Sequence, residues 1–292
     1  MSTAIQVRDL IVRGSRGYGI YLKGRNHFVS GCTAEKNEGP GIHAGYPSTV
    51  KDNHLGDNGD DMLLVPSGPF AYQNNQDDLT WIDIEEYHIA RYETTNQEYC
   101  NFLNECDPLG QHWDSQNDQI QRSGSAGQYG YSVTAGKERY PIRFVHWFDA
   151  KSFALWKSKV TGQSYRLPTQ QEWEKAAGWD PVEKKLYVYG YHQDVIDKVW
   201  CNYNNAYGGT LPVGSFNGAG GKNDARSFYG CYDKSGNIWE WTSSWASDSR
   251  VRMIRGGCWV FGYNYCVVTM INTAPITSRI NWLGFRLVMD PA

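Results

Sequence analysis

Cysteine and histidine are the side chains whose spacing could most directly reveal chemistry in this chain. The seven cysteines are irregularly spaced and include no CxxC pair, so the sequence indicates neither a zinc site nor a thioredoxin-like redox site. The seven histidines form no HxH or HExxH pattern, and neither a GxSxG motif nor a P-loop is present. Because free cysteine is often buried, scattered buried thiols are the simplest interpretation.

Composition narrows the classes of partner. The chain has 292 residues and a formal net charge of −3, which gives no indication of a nucleic-acid or anionic-membrane partner. No apolar run reaches the roughly 18–20 residues of a membrane span, and residues 1–10 lack the apolar core of a signal peptide, so we expect a soluble chain. The 12 Trp and 20 Tyr favour a loop-rich fold with large anchors, or a recognition surface.

Residues 1–60 contain a repeat with a period of about 21–22 residues. Gly17-Tyr18-Gly19-Ile20 recurs as Gly39-Pro40-Gly41-Ile42, and short β-rich pieces alternate with Gly and Asn turns. This pattern predicts a short parallel β-helix of about two and a half coils, either the end of a longer one or one with covered ends. A Gly-rich irregular leader is the alternative.

Residues 61–292 are predicted to form a single α+β domain. Thr94-Thr95-Asn96 begins a first helix, and a second begins near Asp149. Thr169 followed by Glu172 is a capping box that begins a third helix. After Gly178 the sequence is typical of loops and short strands.

Several separate motifs in this domain occur in the order typical of one family. They are 62–70, 92–99, Pro141, 145–150, 165–177, 212–215, 236–242, 255–259 and 284–286. In these motifs the chain resembles the formylglycine-generating-enzyme (sulfatase-modifying factor) family. The resemblance implies a C-type lectin fold of that type, preceded here by the short parallel β-helix fragment. Within it, Arg255 and Arg286 are expected to be structural, held by carbonyls or carboxylates.

The enzymes of this family use two cysteines after the Arg-Gly-Gly-x-Trp motif, and the resemblance implies that the pair binds copper and oxidises a substrate cysteine. Here the first position is Phe261 and the second is Cys266, while Cys258 replaces the usual Ser before Trp259. One thiolate cannot form a two-thiolate Cu(I) site. We therefore predict no copper and no catalytic residue. A copper-dependent oxidase in which Cys258 or Cys266 acts with an unrecognised partner remains the alternative.

The resemblance also implies a structural Ca²⁺ site. Mapped onto this chain, its ligands are the side chains of Asp233 and Glu240 and the carbonyls of Gly236 and Ile238. Hard oxygen ligands suit Ca²⁺. The alternative is that the two carboxylates accept hydrogen bonds from backbone amides.

The segment from about 255 to 286, called the variable segment below, has the family length but an unusual composition. Fourteen residues occupy places where the family commonly has Asn and Arg, and each can be reached from an Asn codon by changing adenines alone. They are Val260, Phe261, Gly262, Tyr263, Tyr265, Val267, Val268, Thr269, Ile271, Asn272, Ile276, Thr277, Ile280 and Asn281. This pattern resembles the variable proteins of diversity-generating retroelements. The alternative is that Val260, Val267, Val268 and Ile271 are core strand residues.

The sequence therefore predicts a non-catalytic ligand- or receptor-binding protein with those fourteen residues as its site. We expect an unknown protein or glycan on a host or cell surface as partner, a phage or viral origin, a homotrimer through the β-helix, and a location on a virion or cell surface. A non-diversified carbohydrate- or protein-binding module on the same fold is a second alternative.

Overall fold

The computed structural model describes parts of the first 61 residues and nearly all of the rest. The described residues are 6–8, 10–13, 20–22, 28–30, 33–35, 42–44, 49–51, 54–55, 62–73 and 79–291. Spatial contacts divide the chain into two units, Met1–Met62 and Leu63–Ala292. The glycine turns that define the repeat and the polar boundary at 57–61 lie outside the described residues.

The described strands of the first unit pair in parallel. Three sheets have the orders β1-β4-β7, β2-β5-β8 and β3-β6. Gln6 pairs with Phe28 and Phe28 with Thr49, so successive partners are 22 and 21 residues apart. This step agrees with the period of the sequence, and the role of the unit as a stalk stays a prediction. The strands are β1 Gln6–Arg8, β2 Ile11–Arg13, β3 Ile20–Leu22, β4 Phe28–Ser30, β5 Thr33–Glu35, β6 Ile42–Ala44, β7 Thr49–Lys51 and β8 His54–Leu55.

The second unit has the α+β fold that the sequence predicted. Its strands are β9 Met62–Val65, β10 Gly68–Tyr72, β11 Thr80–Ile84, β12 Tyr87–Ala90, β13 Ile120–Ser123, β14 Gly130–Val133, β15 Tyr165–Arg166, β16 Trp179–Asp180, β17 Lys185–Leu186, β18 Trp239–Trp245, β19 Val251–Arg255, β20 Asn272–Pro275, β21 Leu283–Gly284 and β22 Val288–Met289. Its helices are α1 Asn96–Cys106, α2 Trp147–Thr161 and α3 Gln170–Gly178, with a 3-10 turn at Tyr263–Tyr265. Two four-stranded sheets, β15-β22-β12-β9 and β20-β19-β18-β21, organise the unit.

Capping boxes begin all three of these helices. Thr95 caps α1 and Thr169 caps α3, and in both helices the Glu at the third helical position accepts a hydrogen bond from the cap amide. The sequence predicted this capping box for α3 and a capped start for α1. Helix α2 begins two residues before the predicted start. His146 is its cap, and its Nδ1 accepts a hydrogen bond from the Asp149 amide. A histidine cap is uncommon, which is why the sequence pattern placed the start at Asp149.

Two buried arginines hold the loop-rich core, as expected from their motifs. Arg255 donates to the Glu174 carboxylate (2.6 Å) and to the carbonyl of Val268 (3.0 Å). Arg286 donates through Nε and Nη2 to the two oxygens of Glu240, both at 2.7 Å. Polar anchors of this kind replace part of the regular backbone pairing that a loop-rich domain lacks.

Candidate binding surface

A double-glycine turn begins the variable segment. Strand β19 ends at Arg255, and Gly256 and Gly257 follow with φ values of 101° and 73°. A Cβ on Gly257 would lie 2.5 Å from the carbonyl oxygen of Tyr265, so only glycine fits where the loop folds back on itself. The double-glycine turn therefore marks the start of the loop, and the end of the 3-10 turn at Tyr265 packs back against it.

Main-chain hydrogen bonds hold the first part of this loop. The Asn205 amide donates to the carbonyl of Trp259 (2.6 Å), and the Asn204 amide donates to the carbonyl of Phe261 (2.8 Å). Both asparagines have positive φ, 50° for Asn204 and 56° for Asn205, a conformation that asparagine tolerates better than most residues. The backbone of the loop is thus fixed by a segment outside 255–286.

Thirteen of the fourteen predicted site residues are at least partly exposed. Val260, Tyr263 and Tyr265 are the most exposed large side chains of the segment, at 38%, 54% and 41%. Partly exposed side chains or backbone are found at Phe261, Gly262, Val267, Thr269, Ile271, Asn272, Ile276, Ile280 and Asn281, and Thr277 is exposed. No strand covers residues 267–271, so the core-strand alternative is wrong about a strand there. Val267 is nevertheless partly buried and packs against the core cluster that contains Cys201 and Cys266.

Val268 is the exception, and its prediction as a ligand contact was wrong. Its side chain is fully buried against Trp173 and Ala177 of α3. Its backbone is also engaged, because its amide donates to the Val188 carbonyl (2.8 Å). Val268 is a core residue within an otherwise accessible segment.

Three rings form an aromatic cluster, defined here as Phe261, Tyr265 and Trp282. The Phe261 ring lies 5.2 Å from Tyr265 and 5.4 Å from Trp282, centroid to centroid, with tilted and edge geometry. The sequence prediction did not include Trp282 among the site residues, although it lies within the variable segment. The signal that could have identified Trp282 is that it is a large aromatic residue next to the predicted site residue Asn281, because large aromatic side chains are enriched in recognition sites.

The rest of the segment attaches to other elements. Asn272 begins β20, which pairs with β19. The carbonyls of Ile276 and Ile280 accept hydrogen bonds from the amides of Trp147 (3.1 Å) and Phe144 (3.0 Å), close to the start of α2. The structure thus brings residues 260–265 and Trp282 together, and residues 276–281 are fixed separately through their backbone.

The cysteines near the family's copper position are buried. Cys258 and Cys266 are fully buried, and Phe261 fills the place of the first family cysteine. Burial raises the pKa of the Cys258 thiol to about 12, so it is protonated at neutral pH. Cys266 packs with Cys201 and Tyr191 in a buried cluster, and burial raises the pKa of Cys201 well above its usual value.

Glu240 does not fit the predicted role of a calcium ligand. Its Oε2 accepts hydrogen bonds from Trp173 Nε1 and Arg286 Nε, and its Oε1 accepts from Arg286 Nη2, all at 2.7 Å. The Arg286 guanidinium already neutralises the carboxylate and would repel a second cation there. Burial is the largest single influence and opposes ionisation of Glu240, but the charges of Arg286 and Lys234 and the hydrogen bonds from Arg286 and Trp173 together outweigh it and hold the pKa of Glu240 below the usual value.

The other predicted calcium ligands either form hydrogen bonds to the protein or are buried. Asp233 accepts a hydrogen bond from the Gly214 amide (2.6 Å), as the amide-bonding alternative predicted. Glu93, which sequence reasoning missed, adjoins Asp233, and its pKa is raised first by burial and then by that negative charge. Gly236 and Ile238, whose carbonyls were the other two predicted ligands, belong to buried residues. Within the described ranges, no three His, Cys, Asp or Glu side chains form a metal-binding group.

The fold and motifs define a domain of the formylglycine-generating-enzyme type. The sequence pattern of the sulfatase-modifying factor enzyme 1-like domain matches residues 47–291. The chain therefore belongs to the FGE-sulfatase family.

Relatives in this family differ in their chemistry. The chain is 32% identical over 165 residues to inactive C-alpha-formylglycine-generating enzyme 2 of Bos taurus, which covers 51% of this chain and 50% of the relative. It is 27% identical over 276 residues to hercynine oxygenase of Mycolicibacterium smegmatis, an alignment that covers 78% of this chain and 61% of the relative. It is 29% identical over 196 residues to the formylglycine-generating enzyme of Thermomonospora curvata, with 56% of this chain and 59% of the relative covered. The chain thus spans about half to three fifths of the length of these relatives.

Solved structures show the same fold. Treponema denticola variable protein 1 aligns with a TM-score of 0.54 at 20% identity, covering 79% of this chain and 95% of that one. CarF aligns with a TM-score of 0.60 at 19% identity, covering 80% and 99%. Among the described residues, no helix is both long and apolar enough to cross a membrane.

Proposed function

We propose that this chain is a non-catalytic ligand-binding protein whose variable segment, 255–286, is diversified by adenine-directed mutagenic retrohoming. The observation that carries the proposal is the arrangement of residues 260–265. Their backbone is fixed by hydrogen bonds and a double-glycine turn, while Val260, Tyr263 and Tyr265 expose their side chains. Such a loop can change its side chains without disturbing the core.

The chemistry of the exposed residues supports a binding role. Aromatic side chains supply large contact area at low cost in side-chain entropy, and the aromatic cluster places Phe261, Tyr265 and Trp282 together. Val, Ile, Thr and Asn at the surrounding positions would adjust shape and polarity. A protein or a glycan on a host or cell surface is the partner that such a site suits.

The setting is part of the same proposal. A parallel β-sheet unit before the binding domain suits a stalk that presents it from a virion or cell surface, as a homotrimer. A phage or viral source would account for both the stalk and the diversified site. Analytical ultracentrifugation of the purified chain should give a trimer, and a monomer would contradict this part of the proposal.

Deep sequencing of codons 255–286 from the natural population carrying this gene tests the diversification. Substitutions should accumulate at adenine-derived positions such as 261, 263, 265, 267 and 271, with Trp259, Gly284 and Arg286 fixed. Codons 236–242 of the same molecules are the control, because they encode a frame motif outside the segment. An invariant segment would rule out diversification.

A second candidate is a copper-dependent formylglycine-generating oxidase, favoured by Cys266 at the second family position and by the relatives that carry that name. Cu(I) competition with a chromogenic chelator and oxidation of a Cys-x-Pro-x-Arg peptide test it. Tight Cu(I) binding that is lost in Cys266→Ser and kept in Cys106→Ser, together with peptide oxidation, would favour the oxidase. A third candidate, a non-diversified carbohydrate- or protein-binding module, predicts an invariant segment and no oxidation.

A further inference from the structure

A concave site lies between α2 and the strands β18 and β19. It is a pocket of about 320 Å³, close to the lower end of the size range of small-molecule sites. Its walls are largely apolar, and none of its lining residues belongs to the variable segment. They are Trp147, Lys151, Ala154, Leu155, Tyr165, Arg166, Leu167, Ser243, Trp245 and Arg252.

Arg252 is a buried cation without a carboxylate partner among the described residues. Only 5% of it is exposed, and the one acceptor that its guanidinium contacts there is the carbonyl of Ser243. Its Nε is buried and makes no hydrogen bond. A guanidinium has five N–H donors, and a buried charge that lacks a counter-charge is costly.

Other buried arginines of this unit are neutralised. Arg255 pairs with Glu174, and Arg286 pairs with Glu240. Arg166, which also lines the pocket but is partly exposed, pairs with Glu172. Arg252 departs from this pattern, and burial lowers the pKa of its guanidinium to about 10.

Two tryptophan rings stack on this cation. The guanidinium carbon of Arg252 lies 4.1 Å from the Trp147 ring centroid and 3.0 Å from that of Trp245. Trp245 is 51% exposed, so one face of the stack remains accessible. Cation–π contacts offset part of the cost of burying the charge but leave the N–H donors unused.

A second buried polar atom belongs to a residue that lines the same pocket. Tyr165 is 4% exposed, and its hydroxyl makes no hydrogen bond within the described part of the chain. Lys151, exposed on α2, adds a second positive charge, whereas no acidic residue lines the pocket. Unused donors, positive charge and aromatic walls thus meet in one place.

We propose that this pocket binds a small organic carboxylate with a flat apolar or aromatic body. The carboxylate would accept hydrogen bonds from the free donors of Arg252 and from the Tyr165 hydroxyl, with Lys151 adding attraction at the rim. The body of the ligand would pack against Trp147 and Trp245. Because no lining residue is rewritten in the proposed diversification, every variant of the protein would keep this site.

Isothermal titration calorimetry of the full chain tests the proposal with phenylacetate and indole-3-acetate as probes, and with their neutral amides as matched controls. Binding of at least one acid, at least tenfold tighter than its amide, is the expected result. Failure of both acids at millimolar concentration, or equal affinity of acid and amide, would overturn the proposal.

Variants separate the pocket from the rest of the surface. Arg252→Gln should weaken acid binding at least tenfold, and Lys151→Ala should weaken it severalfold. Trp245→Ala should also weaken acid binding. Because it removes a ring that is half exposed, it serves as the test if Arg252→Gln does not fold. Lys159→Ala, on the same helix but outside the pocket, and Tyr263→Ala, in the variable segment, should leave acid binding unchanged. Loss of binding in either of these two variants would contradict the assignment to this pocket.

Discussion

Arg286 and Glu240 form a bidentate ion pair in which both side chains are fully buried. The guanidinium also donates to the backbone carbonyls of Ala90, Arg91 and Tyr232. One arginine thereby ties the carboxyl end of the chain to three separate segments. Its partner was predicted to be a calcium ligand, and the pair explains why the carboxylate is not free for that role.

Removing one partner of this pair should be strongly destabilising. Glu240→Gln leaves Arg286 as an uncompensated buried charge, and we expect a loss of about 3–5 kcal/mol in the free energy of unfolding. Urea denaturation followed by tryptophan fluorescence measures it. Asp248→Asn, which breaks the exposed pair between Asp248 and Arg250, is the control and should change little. Similar stability of the two variants would contradict the structural role of the buried pair.

Lys234 should make stability depend on pH. Its side chain is fully buried over the Trp173 ring (4.2 Å), its Nζ has no hydrogen bond within the described part of the chain, and burial lowers its pKa to about 7. The folded pKa lies below the unfolded value of about 10.4, so the stabilising contribution is present above the unfolded pKa and is lost as pH falls toward 7. Lys234→Met removes this dependence.

The measurement compares denaturation curves between about pH 7 and about pH 10, the window set by the folded and unfolded pKa values. The wild-type chain should gain stability across this window relative to Lys234→Met, and the variant should be the more stable protein near pH 7. Lys159→Met, at an exposed position on α2, should follow the wild-type slope. Equal slopes for all three proteins would show that Lys234 is not buried in its neutral form.

Asparagine should be tolerated differently at two valines of the variable segment. Val268→Asn places an amide in the core beside Trp173 and Ala177, and we expect a cost of about 2–4 kcal/mol. Val260→Asn, at a position 38% exposed, should stay within about 0.5 kcal/mol of the wild type. Thermal unfolding of the two variants checks this, and equal midpoints would contradict the core assignment of Val268.

Two glycines of the loop offer a matched comparison. Gly257→Ala forces a Cβ to 2.5 Å from the Tyr265 carbonyl at a φ of 73°, and we expect a cost of about 1–3 kcal/mol with a displaced 3-10 turn. Gly262→Ala meets nothing within 4 Å and has an ordinary φ of −71°. Near-ultraviolet circular dichroism, which reports the packing of the aromatic side chains as a whole, and urea denaturation should both change in the first variant alone.

Local signals explain what the sequence predicted correctly. The capping boxes at Thr95 and Thr169 involve residues three positions apart, so they are visible in the sequence and appear in the structure. The α+β fold followed from motifs distributed along the chain. Exposure of most of the variable segment was inferred from composition, and it failed at Val268, where packing against α3 decides burial.

Long-range contacts explain what the sequence could not reveal. Glu240 meets Arg286 across 46 positions and Trp173 across 67, and no local pattern reports such pairs. The pocket at Arg252 requires Trp147 and Trp245, which are brought together by the packing of α2 on β18. Only the folded chain shows that, among the buried arginines of the described residues, Arg252 lacks the carboxylate partner that Arg255 and Arg286 have.

The amides of Asn204 and Asn205 bond to main-chain oxygens at 261 and 259, atoms that every amino acid carries. In the proposed diversification Trp259 stays fixed and codon 261 varies, yet the carbonyl at 261 remains an acceptor whatever side chain is encoded there, and both donors are encoded elsewhere in the gene. Variants that differ only at the exposed positions of residues 260–265 would therefore share one loop shape and differ in their surface. Selection for a new partner would then act on variants whose loops are already folded. Few variants would be lost because a side-chain change unfolds the loop.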